Sequence, residues 1–231
     1  MRYEILALAA AFVAILVYMY RRDRRRLRDS RAAMYGDCAD LFNDLRVVQD
    51  DVGFPVLTGG YRGYRVKLEP IADYLAFRKI PSLWLQATVY CDNPNRGAFD
   101  FLVRPQNVEF WSPAWQMETS LPTPPNWPEF AIARTDDPKD VPSLDKLQPH
   151  GVLFEDEKVK ELLVTPRGVR IVYQADQAER AYYMVFRQLV FENFRPSPDL
   201  VTRLLDRAIA IHEDLAGIGG AEKGVNVDGA I

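Results

Sequence analysis

From Ile5 to Tyr20 the chain reads ILALAAAFVAILVYMY, sixteen residues without a charge. With Tyr3 and Glu4 included, about 18 residues at a rise of about 1.5 Å nearly cross a hydrocarbon core about 30 Å thick. The run has no polar face, which predicts a membrane helix and argues against a core helix. A cleaved signal peptide needs a basic start and small residues at its end. Here the start is Met1-Arg2-Tyr3-Glu4, and the run closes on Val17-Tyr18-Met19-Tyr20 directly before Arg21. A retained anchor is the expectation, with Tyr3, Tyr18 and Tyr20 at its interfaces.

Beyond the anchor the spacing changes. Met34, Cys38, Leu41, Leu45, Val48 and Val52 recur at alternating steps of four and three, a heptad seam that predicts a helix over 30–52. Two uses are open: a dimerising stalk, or an amphipathic helix packed on the domain C-terminal to it. Gly53-Phe54-Pro55 ends it.

From Phe54 the period shortens towards two. FPVLTGGYRGYRVKLEPI predicts two strands around a turn at Arg62-Gly63. DYLAFRKI and SLWLQATVYCD continue the strand pattern; Leu83, Leu85, Ala87, Val89 and Cys91 share one face of the latter. FDFLVRP resumes it after the turn cluster DNPNRG. DEKVKELL at 156–163 predicts a short helix, LLVTPRGVRIVYQ a hairpin, and RAYYMVFRQLVFENF a long strand. The last element, 197–216, is a helix with N-cap Ser197, Pro198 at its first position and Gly217 at its end. Its buried stripe is Val201, Leu204, Leu205, Ala208, Ile211 and Leu215. RGYRV at 62–66 and RGVRI at 167–171 echo each other, as two generic Arg-Gly turns or as the trace of a duplicated hairpin. The fold class expected is α+β: an N-terminal transmembrane helix (1–29 with its collar), a stalk (30–53), a soluble domain of antiparallel hairpins covered by amphipathic helices (54–216), and a disordered tail (217–231).

Residues 105–149 interrupt this pattern, holding nine of the sixteen prolines and three of the four tryptophans. The proline spacing excludes a regular helix or a central strand in its densest part. Trp111, Trp115 and Trp127 are candidates for a protein-partner surface, or for aromatic caps on the sheet.

Charge adds an orientation. Residues 21–31 carry seven Arg against Asp23 and Asp29, a net of +5, whereas residues 32–231 carry 21 basic and 29 acidic side chains, a net of −8. The positive-inside rule places the arginine side, and with it the main domain, in the cytoplasm. Arg21, Arg22, Arg24, Arg25, Arg26 and Arg28 then lie at the level of anionic headgroups. The acidic body argues against nucleic-acid binding.

Catalytic chemistry finds little support. Only two cysteines and two histidines exist, without zinc-type spacing. Gly59-Gly60-Tyr61-Arg62-Gly63 lacks phosphate-loop spacing. Asp136 and Asp137 in RTDDPKD are weak candidates for a hard cation, against the ordinary reading of an Asx turn before Pro138. No cofactor is expected.

The stretches FPVLTGGYRGYRVKLE, KIPSLWLQATVY, PTPPNWPEFAIARTDDP and KELLVTPRGVRIVY resemble those of uncharacterised single-pass bacterial inner-membrane proteins with a soluble α+β domain. The resemblance covers roughly 50–195 and implies no activity. The expectation is therefore a membrane-tethered, cytoplasm-facing binding or scaffolding module. A membrane-anchored hydrolase using carboxylates and a dimeric membrane-tethered sensor built on 34–52 are the alternatives.

Overall fold

A computed structural model of the chain describes residues 2–73, 80–106, 109–186, 191 and 194–218. Helix α1 runs unbroken from Arg2 to Ala32. The apolar run is therefore continuous with the arginine collar, and the helix stops short of the predicted seam. Residues Gly36–Leu41 form a 3₁₀ turn and Asn43–Val48 form strand β1. The predicted helix over 30–52 is thus a helix only to Ala32, and no heptad seam exists. Met34, Cys38 and Phe42 point into the core, whereas Leu45 and Val48 are exposed on a strand. Tertiary contacts override the local period here. The Tyr35 hydroxyl donates to the Leu68 carbonyl (3.2 Å), the Cys38 thiol to the Pro196 carbonyl (2.9 Å), and β1 takes its ladder from the next strand.

Strands β2 (Val56–Tyr61) and β3 (Tyr64–Ala72) form the expected hairpin, with Arg62 (φ 47°) and Gly63 (φ 84°) at its turn. Positive φ at both central residues is the type I′ geometry that matches strand twist. Next along the chain come β4 (Ser82–Tyr90), β5 (Phe99–Val103), β6 (Thr119–Ser120) and β7 (Ala131–Thr135). A short helix α2 (Leu144–Leu147) and a 3₁₀ segment (Gln148–Glu155) lead to β8 (Val159–Thr165) and β9 (Gly168–Gln177). Helices α3 (Arg180–Phe186) and α4 (Pro198–Ala216) close the described chain. Among the described residues, nine strands make one antiparallel sheet in the order β1-β2-β3-β4-β9-β8-β5-β7-β6.

Two further expectations change. The segment read as a helix at 156–163 becomes β8, because β5 and β9 flank it on both sides and take up its backbone groups. The long strand read from Arg180 starts instead as α3. β9 pairs with β4 only as far as Ser82↔Gln177, and beyond the Ala178 N–H bond to Pro81 no described strand continues the pairing. Residues 187–190 and 192–193 of that stretch, most of DYLAFRKI, and 219–231 of the tail lie outside the described residues. The Arg-Gly echo is not a shared geometry. Gly63 sits in a turn at positive φ, whereas Gly168 opens β9, where an added Cβ would lie 2.5 Å from the Val89 carbonyl oxygen.

The inner face of the sheet is apolar and carries α4. Leu57, Val66, Leu68, Leu83, Leu85, Ala87, Val89, Phe99, Phe101, Leu162, Val164, Val169 and Ile171 all face it fully buried. The predicted stripe of α4 packs there, on β4 and β9. Its start is fixed as expected: the Ser197 hydroxyl accepts from the Leu200 N–H (3.2 Å), and Gly217 takes the left-handed conformation at its end. Ser197→Ala is expected to lower stability by about 1 kcal/mol, read as a shift of the urea midpoint at unchanged m-value.

Candidate functional site

Two regions carry charge in unusual arrangements: the base of α1 and the outer face of the sheet. In α1 every described side chain from Tyr3 to Tyr20 is exposed, so its apolar surface is not buried against the described residues. By length and composition the helix is long and apolar enough to cross a membrane. Immediately beyond it, α1 is tied to the loop between β1 and β2. The Arg24 guanidinium bonds both carboxylate oxygens of Asp51, with Nε–Oδ1 at 3.1 Å, and its Nη1 donates to the Tyr20 hydroxyl (2.7 Å). Gln49 donates to the Arg28 carbonyl (3.2 Å) and the Gly53 carbonyl (2.9 Å). Arg31 donates to the Val52 carbonyl and lies 4.1 Å over the Phe54 ring. The result is an open cleft of about 260 Å³ lined by Arg21, Arg24, Arg25, Arg28 and Asp51.

The outer sheet face is polar. Cross-strand partners share a face, and one row reads Lys67, Thr88, Arg170, Leu163, Asp100 and Arg134 across β3, β4, β9, β8, β5 and β7. The β3-β4-β9 part is open, a cleft of about 210 Å³ with Lys67 bridged to Glu69 (2.6 Å) beside Gln86, Tyr90 and Arg170. The β5-β8 part is closed by the proline- and tryptophan-rich segment. Ser112 caps the 3₁₀ turn Pro113–Trp115, Ala114 is buried, and Trp111 packs on Trp84 with ring centroids 5.6 Å apart.

Beneath that cover lies a buried ionic network. The β8–β9 register shifts between Val159 and Glu161, a bulge that makes Lys160 an extra residue in β8. A bulge re-aims a side chain, and here it turns Lys160 towards the same face as Glu161. Lys160 Nζ lies 3.0 Å from Glu109, donates to the Arg104 carbonyl (2.5 Å) and sits 5.9 Å over the Trp84 ring. Glu161 bonds Arg170 at 3.1 Å. Asp100 and Glu161 are both fully buried and face one another. Burial first, and the Glu161 charge second, push the Asp100 carboxyl well above the usual carboxylate range. Burial also raises Glu161, while Arg170 pulls it back. The arrangement is a buried carboxyl pair in which burial and mutual repulsion raise both groups, Asp100 the more strongly, with Arg170 beside Glu161 to favour its charged form.

Sequence reasoning missed this network. Its trace was an Asp within FDFLV and a Lys-Glu pair within VKELLV, charges in runs that are otherwise apolar.

The residues singled out from sequence do not converge. Trp111 and Trp115 are half-buried on the outer face. Trp127 is 5% exposed on the inner face, against Phe99, Phe101 and Phe154, with its Nε1 donating to the Gln148 carbonyl (3.0 Å). It belongs to the core and to no partner surface. Asp137 accepts from the Lys139 N–H two residues on (3.0 Å), as an Asx turn does, whereas Asp136 accepts from the distant Ala98 N–H (2.7 Å). Among the described residues no group of three or more His, Cys, Asp or Glu side chains is placed to hold a metal ion. Cys38 and Cys91 are free thiols, each pushed up to about 11, chiefly by burial. His150 bonds Asp214 (2.9 Å) and His212 bonds Asn93 (2.8 Å); burial lowers both imidazoles.

No protein family matches the chain, and no curated protein matches it. Among solved structures, the chain is similar to the crystal structure of the mycobacterial trehalose monomycolate transport factor A, TtfA. The identity is 9% and the TM-score 0.38, over 75% of this chain and 76% of that one.

Proposed function

We propose that this protein is a single-pass inner-membrane binding module whose folded domain faces the cytoplasm. The observation that carries the reading is the unbroken α1, in which a bilayer-length apolar surface leads straight into an arginine collar that is itself docked on the domain. A flexible linker would let the domain tumble. Contacts from Arg24, Arg28 and Arg31 to residues 49–54 hold it at a fixed height and orientation above the headgroups instead. The inner face of the sheet is filled by α4, so the polar outer face is the surface offered to a partner. The open strip of Lys67, Gln86, Tyr90 and Arg170 is our choice for the contact region.

The reading predicts that a green fluorescent protein fused after Ile231 fluoresces, that alkaline phosphatase fused there is inactive, and that the chain stays with membranes through a carbonate wash. Active phosphatase would refute the orientation, and release by carbonate would refute the anchor.

A further inference from the structure

We infer that the cleft at the base of α1 is a binding site for the phosphate of an anionic phospholipid, built by one face of the collar together with the loop between β1 and β2. The inference rests on the membrane reading above and narrows it. Six arginines of the collar lie near the headgroups, but only Arg21, Arg24, Arg25 and Arg28 line the cleft. Their spacing of i, i+3, i+4 and i+7 places all four on one face of a helix with about 3.6 residues per turn. Arg22 and Arg26 fall on the opposite side, and so does Asp23.

Three observations make this more than a generic positive collar. First, the acidic residue lining the cleft, Asp51, is engaged by Arg24 in a two-pronged pair, so it fixes that guanidinium and leaves Arg21, Arg25 and Arg28 to face the opening. Secondly, Arg24 is also held by the Tyr20 hydroxyl and lies 5.8 Å over the Tyr20 ring, which registers the cleft to the last residue of the apolar run. From Tyr20 to Arg28 the helix rises about 12 Å, enough to cross a headgroup layer of about 5–7 Å beside the hydrocarbon core. Thirdly, opposite the helix the cavity of about 260 Å³ is lined by Asp51, whose loop Gln49 and Arg31 pin to α1, so that side is held in place. Guanidinium groups at fixed spacing, net positive and facing a headgroup, suit a phosphodiester oxygen pair. Arg24 acts as a positioning residue, and Arg21, Arg25 and Arg28 as the contacts.

The test uses the full chain in detergent with dioctanoyl phosphatidylglycerol, dioctanoyl phosphatidylcholine or inorganic phosphate as probes, with binding read by native mass spectrometry. Phosphatidylglycerol is expected to bind at least tenfold more tightly than phosphatidylcholine. The double variant R21Q/R25Q is expected to lose at least tenfold, whereas R22Q/R26Q, with the same change in charge, stays within twofold. Equal losses in the two variants would reduce the site to generic charge and overturn it. Equal affinity for the two lipids would do the same. Displacement of the lipid by inorganic phosphate at equal concentration would assign the site to free phosphate and overturn the lipid. The carbonate wash of each variant separates the two readings. Lost selectivity with retained membrane association removes only the cleft, whereas release of the wild-type chain removes the anchor beneath it.

Discussion

Replacing Trp127 with alanine is expected to cost about 4 kcal/mol of stability, the range for truncating a large buried aromatic. Its ring sits 4.7 Å from Phe101 and 5.1 Å from Phe154 by centroids, in tilted and edge-on arrangements that add to burial alone. The ring also covers Gly151, where any Cβ would lie 2.5 Å from Trp127 atoms. Removing it leaves a cavity between the inner sheet face and the segment Gln148–Glu155, and strands the Gln148 carbonyl. Urea unfolding of the detergent-solubilised chain, monitored by circular dichroism, measures the loss. A change within about 0.5 kcal/mol, the usual size for a surface substitution, would return Trp127 to the surface.

Glu161→Gln is expected to cost about 3 kcal/mol, because it leaves Arg170 without its carboxylate in a site 19% exposed on the arginine side and closed on the other. Asp100→Asn is expected to stay within about 1 kcal/mol, since a neutral amide of the same shape removes the like-charge repulsion with Glu161 that raises the Asp100 carboxyl. The contrast gives the pair a pH signature. A raised folded-state pKa means that the folded chain binds more protons than the unfolded chain between the two values. The Asp100 contribution is therefore complete below an unfolded pKa of about 4 and is lost as pH rises through the folded value. The histidines run the other way. With lowered values in the fold, His150 and His212 favour stability above about 6.5 and lose it as pH falls. Subtracting the Asp100→Asn profile from that of the wild type gives the contribution of Asp100 together with its effect on Glu161. A flat difference between pH 4 and 8 would show that Asp100 is ionised in the folded state.

The buried pair also explains a feature of the sheet. An antiparallel sheet with one wet face needs no cover on that face, yet the proline- and tryptophan-rich segment closes part of it. Lys160 is paired with Glu109 of that segment, so this pair holds only while the cover stays down, whereas Glu161 and Arg170 pair within the sheet. The arrangement ties the position of Trp111 and Ser112 to the ionic network beneath them.

The elements legible in the chain were those whose period and punctuation agree. Ser197-Pro198 and Gly217 bounded α4 correctly, and its stripe is the face that packs. The β2–β3 hairpin was fixed by Arg62-Gly63, and β4 by strict alternation. The apolar run and the charge step at Arg21 are one-dimensional properties, so composition alone established a bilayer-length helix with a basic end. The failures share a cause as well. Residues 34–48 fit a helix by spacing, but the edge of β2 offered hydrogen bonds and Cys38 found a place under Pro196. Residues 159–163 fit a helix by composition, but lay between two strands. Sequence also could not say which tryptophan faces which way, because 105–149 has no period to count. Only the tertiary structure could place Trp127 in the core, turn Lys160 outward through a bulge, bring Asp100 beside Glu161, and set four of the collar arginines against Asp51. Local pattern encodes which groups share a face of one element, whereas these pairings join residues dozens of positions apart, and only the folded sheet brings them together.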